Sequence, residues 1–196
     1  EVNPSMGFRS IRICLAKPEM FQTQLRAIYR ASVYGPVSIL FPMVDSVEQL
    51  EQILSHVRRA QESLVRDALP FDPKVGIGLV IETPASVILS PELAQKVNFF
   101  HIDTNDLVQY TLAVDRQNPR VTRYYNTHHP AVMRMIQMVI AAAHEAGIQV
   151  TISGDMADDE SLLGWFIRSG VDGINVSAAS VLPLRRKVRN LDLNEG

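Results

Sequence analysis

The run Phe99-Phe100-His101-Ile102-Asp103-Thr104-Asn105-Asp106-Leu107-Val108-Gln109-Tyr110-Thr111-Leu112-Ala113-Val114-Asp115-Arg116 decides the fold. It opens as a short apolar strand from about residue 98 to 102 and breaks into the polar cluster Asp-Thr-Asn-Asp. In open α/β sheets and in barrels, active-site loops sit at the C-terminal ends of the strands. The cluster presents carboxylate and amide oxygens of the kind a hard divalent cation takes. Arg116 follows at about the length of one short helix and offers a planar fork for a carboxylate or phosphate.

Strand and helix patterns alternate on both sides of this run. Residues 37–44 and 75–81 are short apolar stretches rich in branched residues, as in buried parallel strands. Residues 149–153 and 173–177 also read as strands. Between them lie helical periodicities at 18–33, 46–68, 85–97 (a short helix), 130–147, 160–169 and 178–188. Ser46 is placed to cap the second of these, with Gln49 completing a capping box. Pro130 suits the first position of a helix and Gly147 its C-terminal cap. The chain thus predicts five strand–helix units preceded by a helix. Repeated βα units mean a parallel sheet or a (β/α) barrel.

Composition excludes several classes. Nineteen basic and twenty-one acidic residues nearly cancel, so no global field argues for nucleic acid or a membrane surface. The apolar runs are too short for a bilayer span, and no signal peptide is legible. Cys14 is the only cysteine, so neither a disulfide framework nor a cysteine metal set exists, and it is expected to pack. A reducing cytoplasm is the expected compartment. The cluster Arg185-Arg186-Lys187 with Arg189 reads as a solvated helix face near a C-terminus. His128 and His129 read as loop residues, His56 and His144 as helix residues, and Trp165 as a packing residue.

Four ordered blocks resemble one family. They are Asn3-Pro4-x-x-Gly7-x-Arg9-x-Ile11-Arg12, Phe41-Pro42-Met43, Val80-Ile81-Glu82-Thr83-Pro84-Ala85, and Thr104-Asn105-Asp106-Leu107-x-Gln109-Tyr110 continuing into Ala113-Val114-Asp115-Arg116-x-Asn118. Together they resemble the phosphoenolpyruvate-utilising enzymes. The Ala-Val-Asp-Arg extension favours enzyme I of the bacterial phosphoenolpyruvate:sugar phosphotransferase system. The resemblance runs from Asn3 to about Asn190 and implies one domain over 1–196. That domain would be part of an eight-stranded (β/α) barrel, of which this chain carries about the last five strand–helix units. Five strands cannot close such a barrel alone. The expected chain is therefore a fragment, a remnant or one piece of a split protein, inactive in isolation.

The resemblance also implies a site. Glu82 and Asp106 match the carboxylates that hold magnesium, which prefers one or two carboxylates plus water and substrate oxygens. Arg9, Asn105 and Arg116 match substrate-binding positions. The implied reaction moves the phosphoryl group of phosphoenolpyruvate to a histidine on another domain, releases pyruvate, and serves a histidine phosphocarrier protein. A homodimer is implied as well. The alternatives are a degenerate barrel serving as a ligand-binding or dimerisation module, and a magnesium-dependent pyruvate-enolate aldolase or lyase.

Several positions depart from the family pattern. Ser153-Gly154-Asp155 stands where the family has Cys-Gly-Glu. Ser153 takes the place of a cysteine thought to protonate the enolate of pyruvate, and a hydroxyl is a far weaker acid than a thiol. Asp155 shortens the following glutamate. Asp103 replaces a glycine; a like charge about 6 Å from an anionic ligand costs on the order of 3 kcal/mol at an effective dielectric of 20. Ser38 replaces an arginine. These changes are expected to alter catalysis while some metal and anion binding persists.

Overall fold

A computed structural model describes residues 1–192 of the chain. Five strands form one parallel sheet in sequence order: β1 (Ser38–Phe41), β2 (Gly76–Ile81), β3 (Phe99–Asp103), β4 (Gln149–Ser153) and β5 (Gly173–Ile174). The helices are α1 (Ile11–Ala16), α2 (Pro18–Ala31), α3 (Val47–Arg66), α4 (Pro84–Ile88), α5 (Ser90–Ala94), α6 (Thr104–Leu112), α7 (Pro130–Glu145), α8 (Asp155–Asp158), α9 (Leu163–Ser169) and α10 (Ala178–Asn190). A doubly wound sheet reverses its strand order at a switch point. This sheet never does. Right-handed crossovers that always step the same way lay every helix on one face, as in a barrel wall.

Alternation along the strands sorts the two faces. Ile39, Phe41, Leu79, Ile81, Phe100, Ile102, Val150 and Ile152 are buried and share one apolar core with Leu25, Leu50, Val87, Ile136 and Val139 of the helices. Of the other set, Ser38, Leu40, Phe99, His101, Asp103, Thr151 and Ser153 are exposed or half-buried, while Val80 is buried. In a closed barrel this second face is the interior, so an open five-stranded arc leaves it accessible. The parallel sheet is what the repeated units predict, and its unreversed strand order fits the partial (β/α) barrel that the family resemblance implies.

Local chemistry sets the element ends. Ser46 accepts the Gln49 N–H at 3.2 Å and caps α3, as expected, but the Gln49 side chain reaches back to the Asp45 N–H rather than to Ser46 itself. Gly147 closes α7 at φ 72°, with its N–H donating to the His144 carbonyl. The structure differs from the sequence reading at three places. The stretch around Cys14 forms the short helix α1, and Cys14 packs against the core from it. The 85–97 region divides into α4 and α5, because Pro91 falls at the second position of a new turn. β5 is two residues long against the 173–177 read from the sequence; its pairing to β4 ends with the Asn175 N–H donating to the Ile152 carbonyl at 2.8 Å.

Candidate active site at the strand tips

The parallel register aligns the functional positions. Ile81 pairs with Ile102 and Asp103 with Ser153, so Glu82, Asp103 and Ser153 form a row across the C-terminal ends of β2, β3 and β4. The sequence breaks into polar residues there because those tips leave the core. Asp103 begins a helix: its carboxylate accepts the N–H groups of Asn105 (2.9 Å) and Asp106 (3.3 Å) as the N-cap of α6. The polar cluster is therefore a capped helical turn and not a free loop. That turn faces Asp106 inward, where it is 3% exposed.

Two arginines from opposite ends of the motif set meet on this one carboxylate. Arg9, just before α1, places Nη1 3.2 Å from Asp106 Oδ2. Arg116, beyond α6, places Nη1 2.5 Å from Asp106 Oδ1. Tyr110 steadies Arg9: its hydroxyl accepts from Arg9 Nη1 at 3.2 Å and donates to the Ser5 carbonyl. Gln109 steadies Arg116 by accepting its backbone N–H at 3.1 Å. Both guanidinium groups stay about one-third exposed and can be reached from solvent.

Glu82 is 3% exposed and accepts the Met43 N–H at 2.6 Å, which ties the β1 tip to the β2 tip. Burial pushes its carboxyl up to about 7, opposed by the Met43 N–H, and the negative charges of Asp106 and Asp103 add to the rise. Thr83 behind it is extended and caps α4, with Pro84 at the first helical position.

Asn105 links the third tip to the fourth. Its Oδ1 accepts the Asp155 N–H at 2.7 Å and its Nδ2 donates to Asp155 Oδ1 at 3.4 Å. Thr104 Oγ1 donates to the Ser153 carbonyl at 2.8 Å. Gly154 lies between them at φ 96°, and a Cβ there would stand 2.3 Å from Thr104 Oγ1. Tyr125 donates to the Asn105 carbonyl at 3.2 Å, and burial followed by the charge of Asp155 pushes its phenol up to about 12.

The structure brings Arg9, Glu82, Asp103, Asn105, Asp106, Arg116, Ser153 and Asp155 to one end of the sheet. Ser38 lies elsewhere: it opens β1, level with Gly76, at the opposite end of the strands. Sequence reading passed over His101, Tyr110, Thr104 and the Met43 amide. His101 had a legible signal, a polar residue alternating with apolar ones inside a strand. The other histidines serve local structure. His128 pairs with Asp159 at 2.7 Å, His129 accepts the Ala131 N–H at the start of α7, and His144 meets Asp172 at 3.2 Å.

A family model described as "PEP-utilising enzyme, PEP-binding domain" matches residues 1–193. The chain belongs to this family. Phosphoenolpyruvate-protein phosphotransferase of Staphylococcus epidermidis is 40% identical over 195 residues, which is 100% of this chain and 34% of that protein. The same-named protein of Bacillus subtilis is 40% identical over the same share of each. That of Priestia megaterium is 41% identical over 191 residues, 97% of this chain and 33% of that protein. The chain thus spans about a third of the length of these relatives. Among solved structures, a citrate lyase from Burkholderia xenovorans superposes with a TM-score of 0.64 at 18% identity, over 83% of this chain and 52% of that one. Pyruvate kinase from Pyrobaculum aerophilum gives 0.57 at 16%, over 87% and 39%. At those identities the likeness shows the barrel fold alone. Among the described residues of this PEP-binding domain, no helix is long and apolar enough to cross a membrane.

Proposed function

We propose that this domain binds phosphoenolpyruvate at the tips of β2, β3 and β4. In the protein that contains it, the phosphoryl group passes to a histidine on another domain and pyruvate is released. The observation that carries this reading is the convergence of Arg9 and Arg116, 107 positions apart in the chain, on the buried Asp106 beside Glu82. A polyanion is the ligand such forks suit, and it competes with Asp106 for their N–H groups.

Magnesium fits the donor set in a limited way. Among the described residues, no group of three or more His, Cys, Asp or Glu side chains is arranged to hold a metal ion. Glu82 and Asp106 are two buried carboxylates; burial first, and then the charges of Asp106 and Asp103, raise the Glu82 carboxyl, and a cation held between the two would favour its charged form. Two carboxylates suit an ion that completes its shell with water and substrate oxygens. When bound, magnesium supplies neutralisation of the charge that develops on the transferring phosphoryl group. The chain's own residues do the rest. Arg9 and Arg116 hold and orient the anionic groups, while Asn105 fixes the α6 tip against the β4 tip. By the family resemblance, Ser153 takes the place of the residue that protonates the enolate carbon. Asp155 positions Asn105.

The remaining parts of the reading rest on the relatives' name and the family resemblance: a histidine phosphocarrier protein as downstream partner, a homodimer, and a cytoplasmic setting. Isothermal titration with phosphoenolpyruvate tests the site. Arg9→Gln and Arg116→Gln should each weaken binding about tenfold or more, the loss of one charge-assisted contact. Unchanged affinity in both variants refutes the placement.

A further inference from the structure

His101 has no role in the site as described so far, yet its ring is held at both nitrogens. Nδ1 lies 2.8 Å from Thr151 Oγ1 and Nε2 lies 2.8 Å from Ser153 Oγ. All three side chains lie on the strand face away from the helices. His101 pairs in register with Thr151, and Ser153 follows two residues later on the same face. We propose that His101 and Ser153 act as one proton-relay pair, with the imidazole exchanging a proton with the serine hydroxyl while the hydroxyl exchanges one with C3 of pyruvate or its enolate. This rests on the phosphoenolpyruvate reading and deepens it, because it supplies what a lone hydroxyl lacks.

The chemistry follows from acidity and geometry. A serine hydroxyl alone neither gives up nor takes a proton readily near neutral pH, and a hydrogen-bonded imidazole corrects this, as in activated serine nucleophiles generally. In pyruvate enolisation, the C3–H bond breaks and its electron pair becomes the enolate double bond. The proton goes to Ser153 Oγ as the Oγ–H proton passes to Nε2, leaving enolate and imidazolium. The return step protonates C3 from Oγ–H while Nε2–H restores the hydroxyl. No other reactant is needed. Thr151 fixes the ring by its other nitrogen, which decides which nitrogen carries the proton in the neutral form. Burial holds His101 below the ordinary histidine range, with Asp103 pulling the other way. The ring is thus mainly neutral at pH 7 and ready to accept. His101 acts through Ser153 and is in that sense a positioning residue.

The test follows deuterium entering the methyl group of pyruvate in heavy water by proton NMR, using the protein as its gene encodes it, with magnesium chloride present. His101→Gln keeps a neutral hydrogen-bonding side chain but has no basic nitrogen. It should slow exchange roughly 100- to 10,000-fold, the range for a lost general acid–base group. Phosphoenolpyruvate affinity by calorimetry should stay within about twofold, since no charge near the anion is removed. Ser153→Ala should fall equally, and the double variant should be no slower than either single one, because parts of one unit are not additive. Ser153→Cys placed in the His101→Gln background should recover most of the rate, since a thiol needs no imidazole. Multiplying effects in the double variant, or exchange indifferent to His101 while binding persists, overturns the relay. Loss of phosphoenolpyruvate binding by the unaltered protein overturns the functional reading instead. A merely structural His101 would lower affinity and rate together and would not be rescued by the thiol.

Discussion

Replacing Glu82 by glutamine should stabilise the metal-free protein at alkaline pH and leave it unchanged in acid. Glutamine keeps an oxygen for the Met43 N–H and nearly the same shape, but it carries no charge. Burial raises the Glu82 carboxyl from 4.5 to about 7, with Asp106 and Asp103 adding to the rise. The folded state therefore holds a proton that the unfolded chain has lost between pH 4.5 and 7. Stability from this group falls as pH rises through that window, and the loss is complete above it. At 1.36 kcal/mol per pH unit, the full loss is about 3 kcal/mol. Urea unfolding in the presence of a chelator, at pH 4 and at pH 8.5, measures it. Glu82→Gln should match the unaltered protein at pH 4 and exceed it by about 3 kcal/mol at pH 8.5. His56 and His101 also shift with folding, but they are common to both proteins and cancel in the difference. Equal stability differences at the two pH values, or a variant less stable at pH 8.5, would refute the account of a strained buried acid.

Three further outcomes follow from the same geometry. Asp103→Asn retains an N-cap oxygen for α6 while removing a negative charge near the ligand, so phosphoenolpyruvate affinity should rise, by less as salt is added, with stability changed by under about 1 kcal/mol; calorimetry at two salt concentrations checks it. Gly154→Ala forces a Cβ to 2.3 Å from Thr104 Oγ1 at a left-handed backbone position, so it should weaken ligand binding by separating Asn105 from Asp155, read by the same titration. Phe100→Ala removes a fully buried ring from the core and should cost about 3–5 kcal/mol in urea unfolding while leaving the sheet tips in place.

The architecture was legible because its signals are local and periodic. The apolar run 75–81 and the alternating 149–153 are too short for helices and lie between longer helical stripes, and Ser46, Pro130 and Gly147 mark helix ends by chemistry that acts within a few residues. The short α1 and the two-residue β5 were less legible, because tertiary contacts decide them: Cys14 and its neighbours pack on the core, and β5 pairs only with β4 at the edge of the sheet. At the site, the motifs named the charged residues, but pairing could not be read from spacing. Arg9 and Arg116 meet on Asp106 only because α6 turns that carboxylate inward. Asp103 looked like a stray charge until its two backbone donors were seen. His101 escaped notice because its partners, Thr151 and Ser153, are brought alongside by strand register fifty residues later.

The central claim is that Glu82, Asp106 and the two arginines form a magnesium-dependent site for phosphoenolpyruvate. Isothermal titration of phosphoenolpyruvate into the unaltered protein and into Glu82→Gln, each with magnesium chloride and with chelator, tests it most directly. The account predicts that the unaltered protein binds at least tenfold more tightly with magnesium, and that Glu82→Gln loses most of this gain. Binding of equal strength with and without magnesium, or a magnesium gain of the same size in Glu82→Gln, would contradict it.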